Sequence, residues 1–503
     1  MSTVSKAIIE ELITNISTGN SAYYAFASNP VPITGNAISE TYDDYTVNFI
    51  SDWQMLFGKK ITNNDIIPVI LDFPYVANIV YSYYDNHNPY LEASNFYVRT
   101  SPIVGGGYNI YKCIDNSNGT PSLYAPAQIQ QNAFTTADGY VWRYITTISS
   151  ESYLKFAASG YIPIYPNTAI SSVAYQNSGI DKVVIVNGGN GYSVSYNTGT
   201  IQSIVNTTLV QISSNASSLD TYSMSSIYIT GSYAAELKTI SSYVSNISGN
   251  WVYLNSPLNP NNVTTTSSYI ISPSVVFTSD ADAAPLAYSV VNTISSSISN
   301  IIMVDGGFGM TWANVNIVTN QTSIKPAQAY AIIPPAGGHG ADPETELYVQ
   351  GFGLSFSFAN TESSNVITTT NYNKIGIIKN PYSINATSYG NSGILFTANA
   401  FNQVLQANIT PSTLYTVGSQ VTGLTSNALG TVVFSNSTVL YLTGDKYFSN
   451  GEYITDGNNA SQIAINNRAS VYTKGIKPLY IQNINNVVRS NTQTESYKLI
   501  IQA

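Results

Sequence analysis

The stretch Ile180-Asp-Lys-Val-Val-Ile-Val-Asn-Gly-Gly-Asn-Gly-Tyr192 returns as Ile298-Ser-Asn-Ile-Ile-Met-Val-Asp-Gly-Gly-Phe-Gly-Met310. Each copy is an apolar, β-branched run that ends in Asn or Asp and then Gly-Gly-x-Gly. Such a run reads as a strand, and its glycines suit a tight turn needing positive φ. Outward from this repeat the texture persists. Asp181 to Val186, Ile301 to Val304, Thr431 to Phe434 and Val439 to Leu442 are short apolar runs bounded by Gly, Asn, Ser or Pro. Short strands with turn residues between them predict a mainly β chain.

Two stretches carry helical spacing instead. In Ser5 to Ile16, Ile8, Ile9, Leu12, Ile13 and Ile16 recur on one face. From Asp43 to Phe57, paired acids lead into Val47, Ile50, Trp53, Leu56 and Phe57, and acids favour the positive end of a helix dipole. The expected fold is therefore mainly β and multi-domain. It has a β-sandwich-like core containing both chain ends, inserted small β domains and two short N-terminal helices. The expected segments are 1–170 as the N-terminal core part, and 171–205 with 298–382 as a middle β region holding the repeats. Ser/Asn/Thr-rich insertions are expected at 206–297 and 383–470, and 471–503 supplies closing strands.

Composition narrows function. The 503 residues include 18 basic and 27 acidic ones, a net charge of −9 with only 9% charged. Soluble domains usually carry about 25%. Disorder is excluded, because it pairs low hydrophobicity with high charge, and here 44% of residues are hydrophobic and 40 are tyrosine. So sparse a set of cations cannot neutralise a phosphate backbone, which argues against nucleic acid as partner. The lone Cys113 forms no internal disulfide, and folding in a cytosol is expected. Glu10 and Glu11 stand where a signal peptide would be apolar, and no run reaches the ~18 apolar residues of a membrane span, so no membrane partner is expected.

The chemistry-bearing residues have competing readings. Gly188-Gly-Asn-Gly191, Gly306-Gly-Phe-Gly309 and Gly105-Gly-Gly107 could cradle phosphate, but no helical pattern follows them, so turns are expected. Histidine occurs at His87 and His339 alone. His339 lies near Asp342, Glu344 and Glu346, yet further His or Cys ligands are lacking, and a hydrogen-bonded loop histidine is expected rather than a metal site. Asp280 with Asp282, and Asp342 with Glu344, are candidate carboxylate pairs for glycoside chemistry, set against solvated loop acids. No G-x-S-x-G elbow supports a serine nucleophile. Clusters such as Tyr81-Ser-Tyr-Tyr84 could stack on sugars or anchor packing and interfaces. No catalytic, cofactor-binding or metal residue is assigned.

Several motifs, in order, resemble one family. Tyr23-Tyr-Ala-Phe26 before a Pro turn, Phe49-Ile-Ser-Asp-Trp53 through Ile67-Pro-Val-Ile70, and Tyr111-Lys-Cys-Ile-Asp115 followed by Asp138-Gly-Tyr-Val-Trp-Arg-Tyr144 form the first set. The second set is Pro334-Pro-Ala-Gly-Gly-His-Gly340, Asn373-Lys-Ile-Gly-Ile-Ile-Lys-Asn-Pro381, and Leu479 to Asn483 with Val488 to Ile501. Together they resemble the gene-product-eight baseplate wedge subunit of contractile-tailed phages (myoviruses). Val31 stands after Pro30 where that family usually has an aromatic, and the two insertions match nothing in it. The resemblance implies a late structural protein of the virion tail, with no enzymatic activity and no cofactor. It also implies a homodimer within each wedge, bound to other wedge proteins and helping to pass attachment on to sheath contraction. It would be assembled in the host cytoplasm. A receptor-binding fibre adhesin and a polysaccharide depolymerase are the alternatives.

Overall fold

The computed structural model describes residues 14–15, 18, 21–29, 54–100, 106–130, 132–165, 178–322, 324–359, 362, 367–444, 447–474, 476 and 478–502. Strand accounts for 49% and helix for 6%, in a multi-domain β architecture. The chain divides into two compact units, Met1–Val69 with Leu154–Pro163 and Val349–Ala503, and Ile70–Tyr153 with Ile164–Tyr348.

The first unit holds strands from near both ends of the chain. One sheet runs in the order Ala400–Asn402, Met55–Lys60, Tyr23–Ser28, Asn371–Lys379, Tyr480–Val488. A second runs Glu495–Gln502, Gly351–Phe358, Ile66–Leu71, Tyr161–Pro163. Aromatic rings join their facing sides. Phe57 of the first sheet meets Phe358 of the second edge-on at 4.9 Å, and the Tyr372 and Tyr497 hydroxyls touch. Residues 405–467 close into a six-stranded barrel. Alternate positions such as Leu405, Ala407 and Ile409 fill its interior with Val432, Leu442 and Ile463.

The second unit contains a seven-stranded sheet drawn from 197–272, whose core includes Ile212, Ile227, Ile229, Val252 and Ile271. Burying each such side chain contributes roughly 1.5–3 kcal/mol. The expected insertion at 206–297 thus feeds two sheets. Ser274–Ser279 and Leu286–Asn292 pair instead with Ala313–Val318 and Ser297–Asp305.

The repeat is reciprocal in space. Ile180 N–H donates to the Gly306 carbonyl at 2.8 Å, and Ile298 N–H donates to the Gly188 carbonyl at 2.8 Å. Each copy also pairs with an antiparallel partner strand, Gln328–Ile332 for the first and Leu286–Asn292 for the second. Tyr330 faces Val184 as Tyr288 faces Ile302, and a bulge lies at the same place in both ladders. The two copies are related by an internal two-fold.

The helices differ from expectation. Of Ser5 to Ile16 only Thr14 and Asn15, both helical, are described; the rest lies outside the described residues. Of Asp43 to Phe57, residues 43–53 lie outside; Gln54 is helical, and from Met55 the chain is strand, Met55–Lys60 being paired on both sides. Its Gly58 admits the Phe401 ring, which lies 2.3 Å from where a Cβ would stand, so pairing overrides the helical spacing of Leu56 and Phe57. The helices seen are Ser150–Phe156 and Pro343–Glu346. Among the described residues no helix is long and apolar enough to cross a membrane.

Candidate functional site

In the second unit, Tyr108–Asn116 and Tyr140–Ile148 are central strands of a four-stranded sheet. Their register sets Tyr111 opposite Tyr144, Lys112 opposite Arg143 and Cys113 opposite Trp142. Strand alternation sends these pairs to opposite faces. On one face Cys113, Tyr111, Tyr140 and Trp142 join Tyr81, Val98 and Phe134 in an apolar cluster. Tyr140 stacks on Trp142 at 5.5 Å, and Tyr81 meets Trp142 edge-on at 5.6 Å. Asp138 shapes the turn before Tyr140, accepting from Leu123 N–H (2.7 Å), Tyr124 N–H (3.2 Å) and the Thr136 hydroxyl (2.5 Å). Partial burial pushes its carboxyl up, but these bonds outweigh that and hold it near 2.

The opposite face carries charge. The Lys112 ammonium contacts Glu346 Oε1, and their side chains are 0% and 1% exposed. His339, also fully buried, places Nδ1 3.1 Å from Glu346 Oε1 and Nε2 2.7 Å from Asp181 Oδ2. Gly340 N–H donates to Glu346 Oε2 at 2.6 Å. The Tyr84 ring lies 4.2 Å from the Lys112 nitrogen and meets the His339 ring edge-on at 5.2 Å. Burial drives the Lys112 amine down to about 8 against the pull of Glu346. For Glu346 burial acts upward, yet the Lys112 charge and the His339 contact prevail and bring it to about 2. Arg143, buried beside them, is lowered by desolvation, with Asp181 and Glu346 opposing.

Local sequence delivers His339 and Glu346 to this place. Gly337, Gly338 and Gly340 adopt φ of +82°, +87° and +81°, which turn the chain tightly around His339. Asp342 then caps the helix Pro343–Glu346 by accepting from Thr345 N–H, with Pro343 in its first turn. One helical turn later Glu346 is directed back at His339. The arrangement is an ionic staple fixing the 334–346 segment to two strands and to Asp181.

The other candidate residues are scattered. Asn187 Oδ1 accepts from Gly189 N–H and Asp305 Oδ1 from Gly307 N–H, both at 2.9 Å, so these glycine clusters form equivalent turns. Gly106 and Gly107 have positive φ, while Gly105 lies outside the described residues. Asp280 accepts from Thr311 N–H (2.8 Å) and Trp312 N–H (3.2 Å), a loop-holding role, and the Asp282 N–H donates to Phe308. Asp342 is spent on its cap, and Glu344 sits on that short helix. His87 packs on Tyr330 at 4.6 Å with Asp85 beside it. Tyr81 belongs to the aromatic core, Tyr84 to the ionic cluster, and Tyr83 lies under Lys182. Among the described residues no group of three His, Cys, Asp or Glu could hold a metal ion.

Sequence reading missed Asp181 as a partner of His339, and Lys112 and Arg143 as the cations beside Glu346 and Asp181. The available signal was a Lys and an Arg inside otherwise apolar strands, where an unpaired charge is costly. No protein-family model matches the chain, and no curated protein does.

Proposed function

We propose that this chain is a structural subunit of the baseplate wedge of a contractile phage tail. In this role it binds neighbouring wedge proteins and a second copy of itself in the virion, and helps convert attachment into sheath contraction. The observation that carries the reading is the placement of its most specific motifs. Tyr111-Lys-Cys and Gly139-Tyr-Val-Trp-Arg-Tyr144 lie on adjacent strands and supply both the aromatic core and the ionic staple of one sheet. A motif with that double duty is fixed by folding, which suits a rigid part that works through its surfaces. A chain only 9% charged also supports the reading, since interface cores are depleted of Lys, Asp and Glu. Cryo-EM of intact particles tests it. The expected result is this fold at the baseplate periphery, in copies related by the tail symmetry. Its presence only at a fibre tip, or its absence from particles, would overturn the reading.

A further inference from the structure

In the first unit, the two sheets that carry the chain ends part around a cavity of about 110 Å³. Tyr23, Ile377 and Tyr480 line it from one sheet, and Phe352, Leu354 and Ile501 from the other. Further along the same sheets Phe57 meets Phe358 and the gap closes. Register builds these walls. Tyr23 stands opposite Lys379, Ala25 opposite Ile377, and Ile377 opposite Tyr480, so alternation sends all of them to one side of the sheet. Of the lining side chains only the two tyrosines carry a polar atom, and Tyr480 spends its hydroxyl on Gln482 Oε1 at 2.8 Å. Exposed Leu479 marks the mouth. The same register places Lys379 there. It is exposed, shares the cavity side of the sheet with Tyr23, and holds its ammonium 5.6 Å from the centre of the Tyr23 ring. The neighbouring charges are committed to one another, Lys59 to Glu362 and Asp65, beside Ile66, to Lys155. Among the described residues no acid pairs with Lys379.

We infer that this cavity binds a small monocarboxylate, with its alkyl or aryl body between the sheets and its carboxylate on the Lys379 ammonium. Size selects the body. An apolar cavity of about 150 Å³ stays dry and takes benzene, so this one suits a chain of about five carbons or one small ring, and a long acyl chain does not fit. Polarity selects the head. The walls give a charged group no partner, whereas the mouth offers one unpaired cation. A cationic ligand is repelled there and a neutral one leaves Lys379 unused, but a carboxylate gains a charge-assisted hydrogen bond while its outer side stays hydrated. The walls belong to Tyr23–Ser28, Tyr480–Val488 and Glu495–Gln502 among other strands, so occupancy ties both chain ends together and stabilises the unit by mass action. This site and the wedge role stand independently of each other.

Ligand-observed NMR titration of the purified full chain with hexanoate tests it. Saturable binding at a single site is expected. Acetate, which lacks the body, should show none, and 1-hexanol, which lacks the charge, should bind about fivefold more weakly, the scale of an exposed ion pair. Lys379→Gln should bring hexanoate down to the level of hexanol and leave hexanol itself unchanged. Ile377→Trp fills the cavity and should abolish binding of both. Should that variant fold poorly, the exposed Lys379 position still decides the matter. Absence of saturable hexanoate binding overturns the inference. So does hexanoate binding that Lys379→Gln leaves unchanged, and so does hexanol binding within about twofold of hexanoate, either of which would make the cavity a slot for a neutral apolar group.

Discussion

Glu346→Gln keeps the shape of the side chain and removes its charge, so it isolates the ionic part of the staple. Glu346 accepts from Gly340 N–H and faces both Lys112 and His339, with 1% of its side chain exposed. A glutamine oxygen can still accept from Gly340, but the buried Lys112 ammonium loses its counter-charge. Removing one member of a buried pair typically costs about 3–5 kcal/mol, because the remaining charge has no compensation. Lys112→Met is milder, about 1–3 kcal/mol, since Glu346 retains Gly340 and His339. The double variant K112M/E346Q strands no ammonium, so its loss should fall at least about 1.5 kcal/mol short of the summed singles. Urea unfolding of the purified chain, followed by circular dichroism and tryptophan fluorescence, measures all four states; Trp142 lies in the sheet the staple holds. An E346Q transition within 1 kcal/mol of wild type, or strict additivity in the cycle, would refute the reasoning.

Lys374 is fully buried, with its amine 3.2 Å from Asn373 Oδ1 and 3.4 Å from the Asn29 carbonyl, and burial lowers it from 10.5 to about 8. Between those values the unfolded chain binds the extra proton, so stability rises with pH across that window. Lys374→Met should flatten this rise and stabilise the chain at pH 7 by about 1–3 kcal/mol, read from unfolding curves at pH 7 and above pH 9; a less stable variant contradicts the account. Cys113 is buried and its thiol is pushed well up by burial, so a disulfide reagent at pH 8 should leave the native chain untouched and titrate one thiol in urea. Rapid labelling without denaturant would show the aromatic core to be open. A Cβ at Gly188 would stand 2.4 Å from the Ile298 carbonyl oxygen, whereas one at Gly119 meets nothing within 4 Å. Gly188→Ala should therefore cost about 2–3 kcal/mol, clearly more than Gly119→Ala, whose cost comes from its positive φ alone; equal melting losses would deny the reciprocal contact of the repeats.

The β character was legible because strand-length apolar runs and turn residues are local signals. The Gly-Gly-x-Gly turns were legible for the same reason: Gly189 and Gly307 have φ of +65° and +67°, as the sequence requires there. That the two turns grip each other was not, since Gly188 and Ile298 meet only through the inserted sheet's closure. The end of the Asp43 to Phe57 segment misled, because Leu56 and Phe57 fit a helical face while Gly58 and two flanking strands demand extension. The helix Pro343–Glu346 was signalled by Asp342-Pro343, a cap followed by proline, but one turn is too short for periodicity to register. The staple was the least legible part. His339 and Asp181 are 158 residues apart, and no local pattern links them.

Scarce charge has a second meaning once the interior is seen. Lys112, Arg143, Glu346, Lys374, Glu452, Arg489 and Glu495 are all buried, in a chain with only 18 basic and 27 acidic residues. Buried pairs add little net stability, but they penalise wrong arrangements. Most strands here repeat the same Val, Ile, Tyr, Asn and Ser, so apolar pattern alone discriminates weakly between registers. A one-residue slip of Tyr108–Asn116 would turn Lys112 onto the face of Trp142 and Tyr140, and Cys113 toward Glu346. On this account the staple would act as a register check on this sheet. The variant K112M/E346Q, which removes both charges yet keeps an acceptor for the Gly340 N–H, should refold from urea with a lower yield of native chain. Yield is read by size-exclusion chromatography and by protection of Cys113 from thiol reagents. Wild-type yield and full protection in that variant would assign the register to apolar packing instead.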